Sequence, residues 1–264
     1  ACAARTTRIR LATTSLLLSI HDPLRVAAEV ATLDQLSEGR VVLGLGRGFE
    51  PAMLRAFGID PRTKRDRFDE ALDALLATWR TAAAEGDPAL APVQRPHPPL
   101  YVAAFGAKGL AQAARRGLPY LASPLESLAT LERNFARHAE LLPPGAPAPP
   151  IAVMRTVHVA ADAAEARRLR EAADVEFAAL AARAAGGPGP GSGPGPGSAL
   201  AEAAAGAAAD RVLIGEPGEV ADGIARYRER LGLDLLVVRA AARTDDRARR
   251  AALERLVADL LPRL

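Results

Sequence analysis

The chain has one cysteine, Cys2, in 264 residues. A disulfide needs two and a cysteine-built metal site needs more, so neither can form within one chain. Histidine is nearly as scarce. His21, His97, His138 and His158 show no metal-ligand spacing such as H-E-x-x-H, and no metal is expected. No run approaches the ~18 apolar residues that span a bilayer, and no signal peptide is visible. The expectation is a soluble, cytoplasmic protein with no membrane contact. The net charge of +3 arises from 34 basic and 31 acidic residues mixed along the same helices, as in "AEARRLREAADVE". A nucleic-acid surface needs clustered Lys and Arg, so no nucleic acid is expected as partner. Aromatic residues make up only 4% of the chain, and alanine is abundant, which favours closely packed helices.

What is present is a regular alternation of strands and helices. "RIRLATTSLLL" (8–18) is rich in β-formers. "HDPLRVAAEVATLDQLSEG" follows as a helix with Asp22 as cap, Pro23 in the first position and Gly39 at the end. Val26, Val30, Leu33 and Ser37 fall on one face, flanked by Ala27 and Leu36, which predicts the buried stripe. "RVVLGLG" is the second strand. "DPRTKRDRFDEALDALLATWR" is a helix with Phe68, Leu72, Leu75, Leu76 and Trp79 on one side. The strands "PPLYVAAF", "LPYLAS", "IAVMRTVHVA" and "LDLLVVRA" follow, separated by helical segments. Six strands alternating with helices imply parallel βαβ units. Two architectures fit: a doubly wound open sheet, or a (β/α)₈ barrel lacking two units. The opening "ACAARTTRIRLATTS" has no methionine and reads as the end of a helix running into a strand, so the expectation is a domain whose beginning lies upstream. "GGPGPGSGPGPGS" (186–198) cannot pack a core, and is expected to be a flexible surface loop or a lid within one domain spanning 1–264.

The stretch "GLGRG" (44–48) lies at the carboxyl end of a strand, where parallel α/β proteins bind ligands. Glycines let a ligand approach the backbone, and Arg47 can make a charge-assisted contact to phosphate. The glycine spacing of two then two does not match the G-x-G-x-x-G dinucleotide fingerprint. Close packing of the glycines, with Arg47 in a structural ion pair, is the alternative on the motif alone. His21 and His158 near strand ends read as structural or solvated more readily than as catalytic, and Arg155 as pointing to the barrel mouth or pairing with a neighbouring helix. No catalytic residue is assigned.

The run from "TTRIRLATTSLLLSIHDP" through "LDQLSEGRVVLGLGRGFEP", with "PPLYVAAFGAKGLAQAARRGLPYLAS" and "VLIGEPGEVADGIARYRERLGLDLLVV", resembles the luciferase-like monooxygenase family. That resemblance implies a TIM-type (β/α)₈ barrel lacking its first two βα units here. It implies a flavin-dependent monooxygenase that uses reduced FMN and dioxygen on a small organic substrate, with a separate reductase supplying the flavin and a possible homodimer. Alternatives on the same fold are hydride transfer with a deazaflavin coenzyme, or a non-catalytic flavin-binding barrel. By the same resemblance Arg47 reaches the cofactor phosphate, with Gly46, Gly48 and Phe49 lining the site. The loop Phe105, Gly106, Lys108 and Gly109 adds phosphate contacts, although glycines stand where the family commonly has hydroxyl side chains. A cis peptide at Thr14–Ser15 is expected beneath the flavin ring.

Overall fold

The computed structural model describes residues 1–184, 210–241 and 244–264; the glycine-proline segment 186–198 lies outside them. The chain divides into two compact units, Ala1–Ala103 and Ala104–Leu264.

The first unit opens with a short helix, α1 (Cys2–Arg5), and the strand β1 (Leu11–Leu17). Helix α2 (Pro23–Leu36) starts where expected. The Asp22 carboxylate accepts the Arg25 N–H at 2.9 Å, and Pro23 needs no hydrogen bond there. Past its end Glu38 and Gly39 both take positive φ, +55° and +77°. The predicted stripe holds at Val26, Ala27, Val30 and Ser37, which are buried, but Ala31 and Asp34 face inward where Leu33 and Leu36 were expected, and those two leucines are exposed. The reason is polar: Asp34 accepts from the Gln94 backbone N–H (2.9 Å) and Gln94 Nε2 (2.7 Å), which ties the helix to the segment before β3. Strand β2 (Val41–Gly46) is buried at every position, as befits a strand covered on both faces. A one-turn helix, α3 (Pro51–Ala56), not anticipated from the sequence, precedes α4 (Lys64–Glu85). Helix α4 buries Phe68, Ala71, Leu72, Leu75, Trp79 and Ala82. The Trp79 indole N–H donates to the Ala27 carbonyl at 3.2 Å, locking α4 on α2. Strand β3 (Leu100–Ala104) pairs with β2, and β2 with β1, all parallel.

Arg40, just before β2, ties down the start of the unit. Its guanidinium donates to Ser37 O, Thr6 Oγ1, Ile9 O, Ala3 O and Thr6 O at 2.7–2.9 Å, using the full donor fork of the side chain. Arg40→Ala is expected to cost about 1–2 kcal/mol in a urea titration and to speed amide exchange at Leu11, whose N–H bonds to Arg40 O. Unchanged exchange there would show that the fork is dispensable.

The second unit runs α5 (Ala107–Ala114), β4 (Tyr120–Ala122), α6 (Leu128–Glu140), β5 (Ala152–Val159), α7 (Ala163–Ala184), β6 (Val212–Gly215), α8 (Pro217–Leu231), β7 (Leu235–Arg239) and α9 (Asp246–Arg255). Strand β5 is the hub. It pairs in parallel with β4 at its start, with β6 at its end and with β7 along Ala152–Thr156. The described residues thus hold seven strands, not six. The addition is β6, whose four residues run directly into the Glu216–Glu219 capping box and Pro217 of α8. It is too short to show periodicity, yet it is covered on both faces. Leu213 packs with Val220, Ile224 and Tyr227 of α8, while Val212 and Ile214 pack with Leu169, Ala173 and Phe177 of α7. No helix among the described residues is long and apolar enough to cross a membrane.

Candidate cofactor site

Strand β2 delivers Gly46, Arg47 and Gly48 at its carboxyl end. The glycines are demanded first by the chain's own packing. The β1–β2 register skips Ser15, and the Thr14–Ser15 peptide is cis. A Cβ on Gly46 would stand 2.5 Å from Ser15 Oγ and 3.1 Å from Leu17 Cδ2. Gly48 adopts φ +74°, and a Cβ there would meet Met53 Cε at 2.9 Å. The packing alternative therefore accounts for these two positions.

Arg47 is half-buried. Its backbone carbonyl accepts the Ser19 hydroxyl at 2.6 Å, and Ser19 O accepts Arg67 Nε at 3.2 Å, so the start of α4 is stitched to the strand end. One guanidinium nitrogen donates to Ala103 O at 3.2 Å, and the group lies 5.9 Å from the centre of the Phe68 ring. Burial, then the neighbouring Arg65, lowers its pKa to about 10, with Asp69 pulling the other way. Lys64 is depressed too, by burial and by Arg65 and Arg47. The start of α4 thus brings Lys64, exposed Arg65 and the acid Asp69 into the electrostatic surroundings of this strand end. The first turn of α4 has no side-chain cap, because Thr63 Oγ1 donates back to Asp60 O at 3.0 Å.

Of the remaining expected residues, Thr14 is exposed and Ser15 half-buried. The Thr13 hydroxyl bonds to Gly44 O at 3.0 Å. Phe49 is 45% exposed. Phe105, Gly106, Lys108 and Gly109 fall in the second unit, at the start of α5. Gly106 sits at the N-cap with φ +78° and no side-chain cap, Lys108 is exposed, and Gly109 is buried. Lys64 and Arg65 were not anticipated. "RTKRDR" reads as a solvated charge run, and the available signal was the i, i+4 placement of Lys64 one turn before buried Phe68.

Two other candidates have structural partners. His158 is 2% exposed, and its Nε2 lies 3.1 Å from Glu165 Oε1. Arg155 is fully buried. It donates to the Tyr227 hydroxyl (2.6 Å) and to the carbonyls of Ser123, Glu126 and Met154. No group of three or more metal-ligating side chains occurs among the described residues.

A family model described as luciferase-like monooxygenase matches residues 1–234. The uncharacterized protein y4wF of Sinorhizobium fredii is 39% identical over 125 residues, which are 44% of this chain and 36% of that protein; the chain thus spans little more than a third of that relative's length. Among solved structures, the monooxygenase RslO1 from Streptomyces bottropensis matches with a TM-score of 0.73 at 24% identity, over 98% of this chain and 80% of that one. The oxygenating constituent of 3,6-diketocamphane monooxygenase from Pseudomonas putida, in complex with FMN, matches with a TM-score of 0.71 at 20% identity, over 98% and 81%. These likenesses place the fold in the TIM-type α/β class.

Proposed function

Because the chain belongs to the luciferase-like monooxygenase family, we propose that it serves a flavin-dependent oxidoreductase acting with reduced FMN and dioxygen on a small organic substrate. The observation that carries this reading is the half-buried Arg47 guanidinium at the carboxyl end of the glycine-flanked strand β2, donating to Ala103 O. A guanidinium there suits an anion, and the terminal phosphate of FMN is one. The solved diketocamphane enzyme, which holds FMN, supports the choice by fold alone.

In this reading Arg47 and the backbone of Gly46, Gly48 and Phe49 hold the phosphate. The start of α5, with Gly106, Lys108 and Gly109 behind Phe105, presents uncapped amides and one further charge to an anion. Thr14 and Ser15 are the residues that would line the side of the flavin ring. When bound, the flavin supplies the electrons with which dioxygen is activated. The protein's part is to anchor the phosphate, orient the ring and exclude water. A reductase partner delivers the reduced flavin, and the working form is a homodimer.

The test is a fluorescence and calorimetric titration of the chain with FMN, riboflavin and a deazaflavin coenzyme. FMN is expected to bind at least about tenfold more tightly than riboflavin, the share of one charge-assisted phosphate contact. Equal affinities would remove the phosphate anchor and the reading with it. Preference for the deazaflavin would move the assignment to hydride transfer without oxygen.

A further inference from the structure

We propose that the open cavity between α3 and the turn that follows it is a binding site for a small monocarboxylate with an apolar body, and that Arg55 takes the carboxylate. The site uses a face of α3 other than the one against the β2 strand end, and it does not depend on the flavin reading.

The cavity measures about 600 Å³ and opens to solvent, a volume typical of small-molecule sites. Helix α3 is seated from one side, where Met53 and Leu54 close on Gly48. Pro51 and Arg55, one turn apart, share a different face, and that face lines the cavity. The opposite wall is the turn 58–62, which the backbone pins in place. Gly58 N–H donates to Arg55 O and Ile59 N–H to Leu54 O, both at 2.9 Å. Thr63 holds the Asp60 carbonyl with its N–H and its hydroxyl, both at 3.0 Å. Pro51 and Pro61 fix φ on the two sides, and Ile59 is buried. Gly58, at φ +71°, leaves open space where a side chain would stand. The wall is therefore apolar and set before any ligand arrives, which lowers the ordering cost of binding.

Three charged side chains complete the lining. Arg62 is committed to Asp60: its backbone N–H donates to Oδ1 and its Nη2 to Oδ2, both at 2.9 Å. Those bonds hold the Asp60 carboxyl below its ordinary pKa, so it stays charged. Arg55 is exposed, and its side chain makes no hydrogen bond or ion pair among the described residues. Two guanidinium groups against one carboxylate leave a single positive charge on the cavity, and it sits on Arg55. A monocarboxylate balances that charge and matches the guanidinium fork with two parallel bonds. A dicarboxylate or a phosphate would set a second negative charge against Asp60. The prolines and Ile59 offer apolar surface to the rest of the ligand.

The experiment titrates the whole chain with benzoate, benzamide, phthalate and inorganic phosphate, read by calorimetry and by backbone amide NMR shifts. Benzoate and benzamide are titrated again into Arg55→Met and Arg55→Lys. Benzoate is expected to shift the Gly58, Ile59 and Arg62 amides and to bind about tenfold more tightly than the other three. Arg55→Met is expected to abolish the preference over benzamide, and Arg55→Lys, which keeps the charge without the fork, to retain part of it. Damage to the fold would weaken benzoate and benzamide together, so their ratio isolates the carboxylate contact. Equal binding of benzoate and benzamide to the unaltered chain would overturn the proposal. So would tighter binding of phthalate or phosphate, amide shifts centred elsewhere, or a benzoate preference that survives Arg55→Met.

Discussion

Replacing Glu126 by alanine is expected to cost about 3–5 kcal/mol of stability. Glu126 is fully buried after β4 and is the common acceptor of a polar cluster. Its carboxylate takes the Tyr120 hydroxyl at 2.5 and 2.6 Å, the Ser123 N–H at 2.8 Å and Asn134 Nδ2 at 2.5 Å. Its backbone carbonyl takes Arg155 Nη2 at 2.7 Å. Alanine leaves three donors in the interior with no acceptor and removes a negative charge that faces buried Arg155. Each orphaned donor costs 1–3 kcal/mol on its own, but shared relaxation keeps the sum below three separate losses. Urea unfolding followed by far-UV dichroism measures it; a loss under 1 kcal/mol would show that the cluster contributes little.

The same carboxyl gives a pH signature. Burial raises its pKa, against the opposing pull of Tyr120, Ser123 N–H, Asn134 and Arg155. The folded chain therefore holds a proton that the unfolded chain has released once pH passes the ordinary carboxylate value. The stability this group contributes is complete below about 4.3 and is lost as pH rises through the folded value. Glu126→Gln, which cannot ionise, is expected to lack that decline. Parallel pH curves for the two proteins would contradict the assignment.

The fold was legible wherever local chemistry agrees with packing. Asp22, Pro23 and Gly39 bracket α2 because caps act within a few residues. That Asp34 faces inward in α2, and Leu33 and Leu36 do not, was not legible, because Asp34 is a polar residue made buriable by Gln94 sixty positions away. Strand β6 escaped because four residues between a helix cap and an unpatterned segment show no period. In the candidate site, "GLGRG" left two readings open, a ligand cradle and close glycine packing, because a glycine does not say whether a ligand or a neighbouring side chain takes the space. Gly46 and Gly48 are small for Ser15 and Met53, and Arg47 is the one member of the three that carries a charge. The half-burial of Lys64 was invisible because a charge run carries no sign of which member will leave the solvent. Glu126, within the unremarkable "PLESLAT", was hidden for the same reason: its three donors come from a strand, a turn and a helix.

Arg47→Met is expected to stabilise the ligand-free chain by about 1 kcal/mol while lowering FMN affinity roughly ten- to a hundredfold. Its pKa falls from the ordinary guanidinium range to about 10, chiefly through burial and then through Arg65, a drop equivalent to about 3 kcal/mol. Between pH 10 and the ordinary value the unfolded chain keeps the proton and the folded chain has released it. Stability therefore rises with pH across that window, and at neutral pH the protonated folded site bears the full cost. Methionine removes the charge and keeps an apolar stem against Phe68. The gain is reduced by the lost bond to Ala103 O, by the lost attraction to Asp69, and by partial exposure to water, which together leave about a third of the gross figure. Opposite signs for stability and for binding are what a site held in readiness for an anion requires, because the bound phosphate repays the cost of gathering the charges. A purely structural arginine gives the contrary pattern: the ligand-free variant melts at a lower temperature, and FMN and riboflavin bind to it as they do to the unaltered chain.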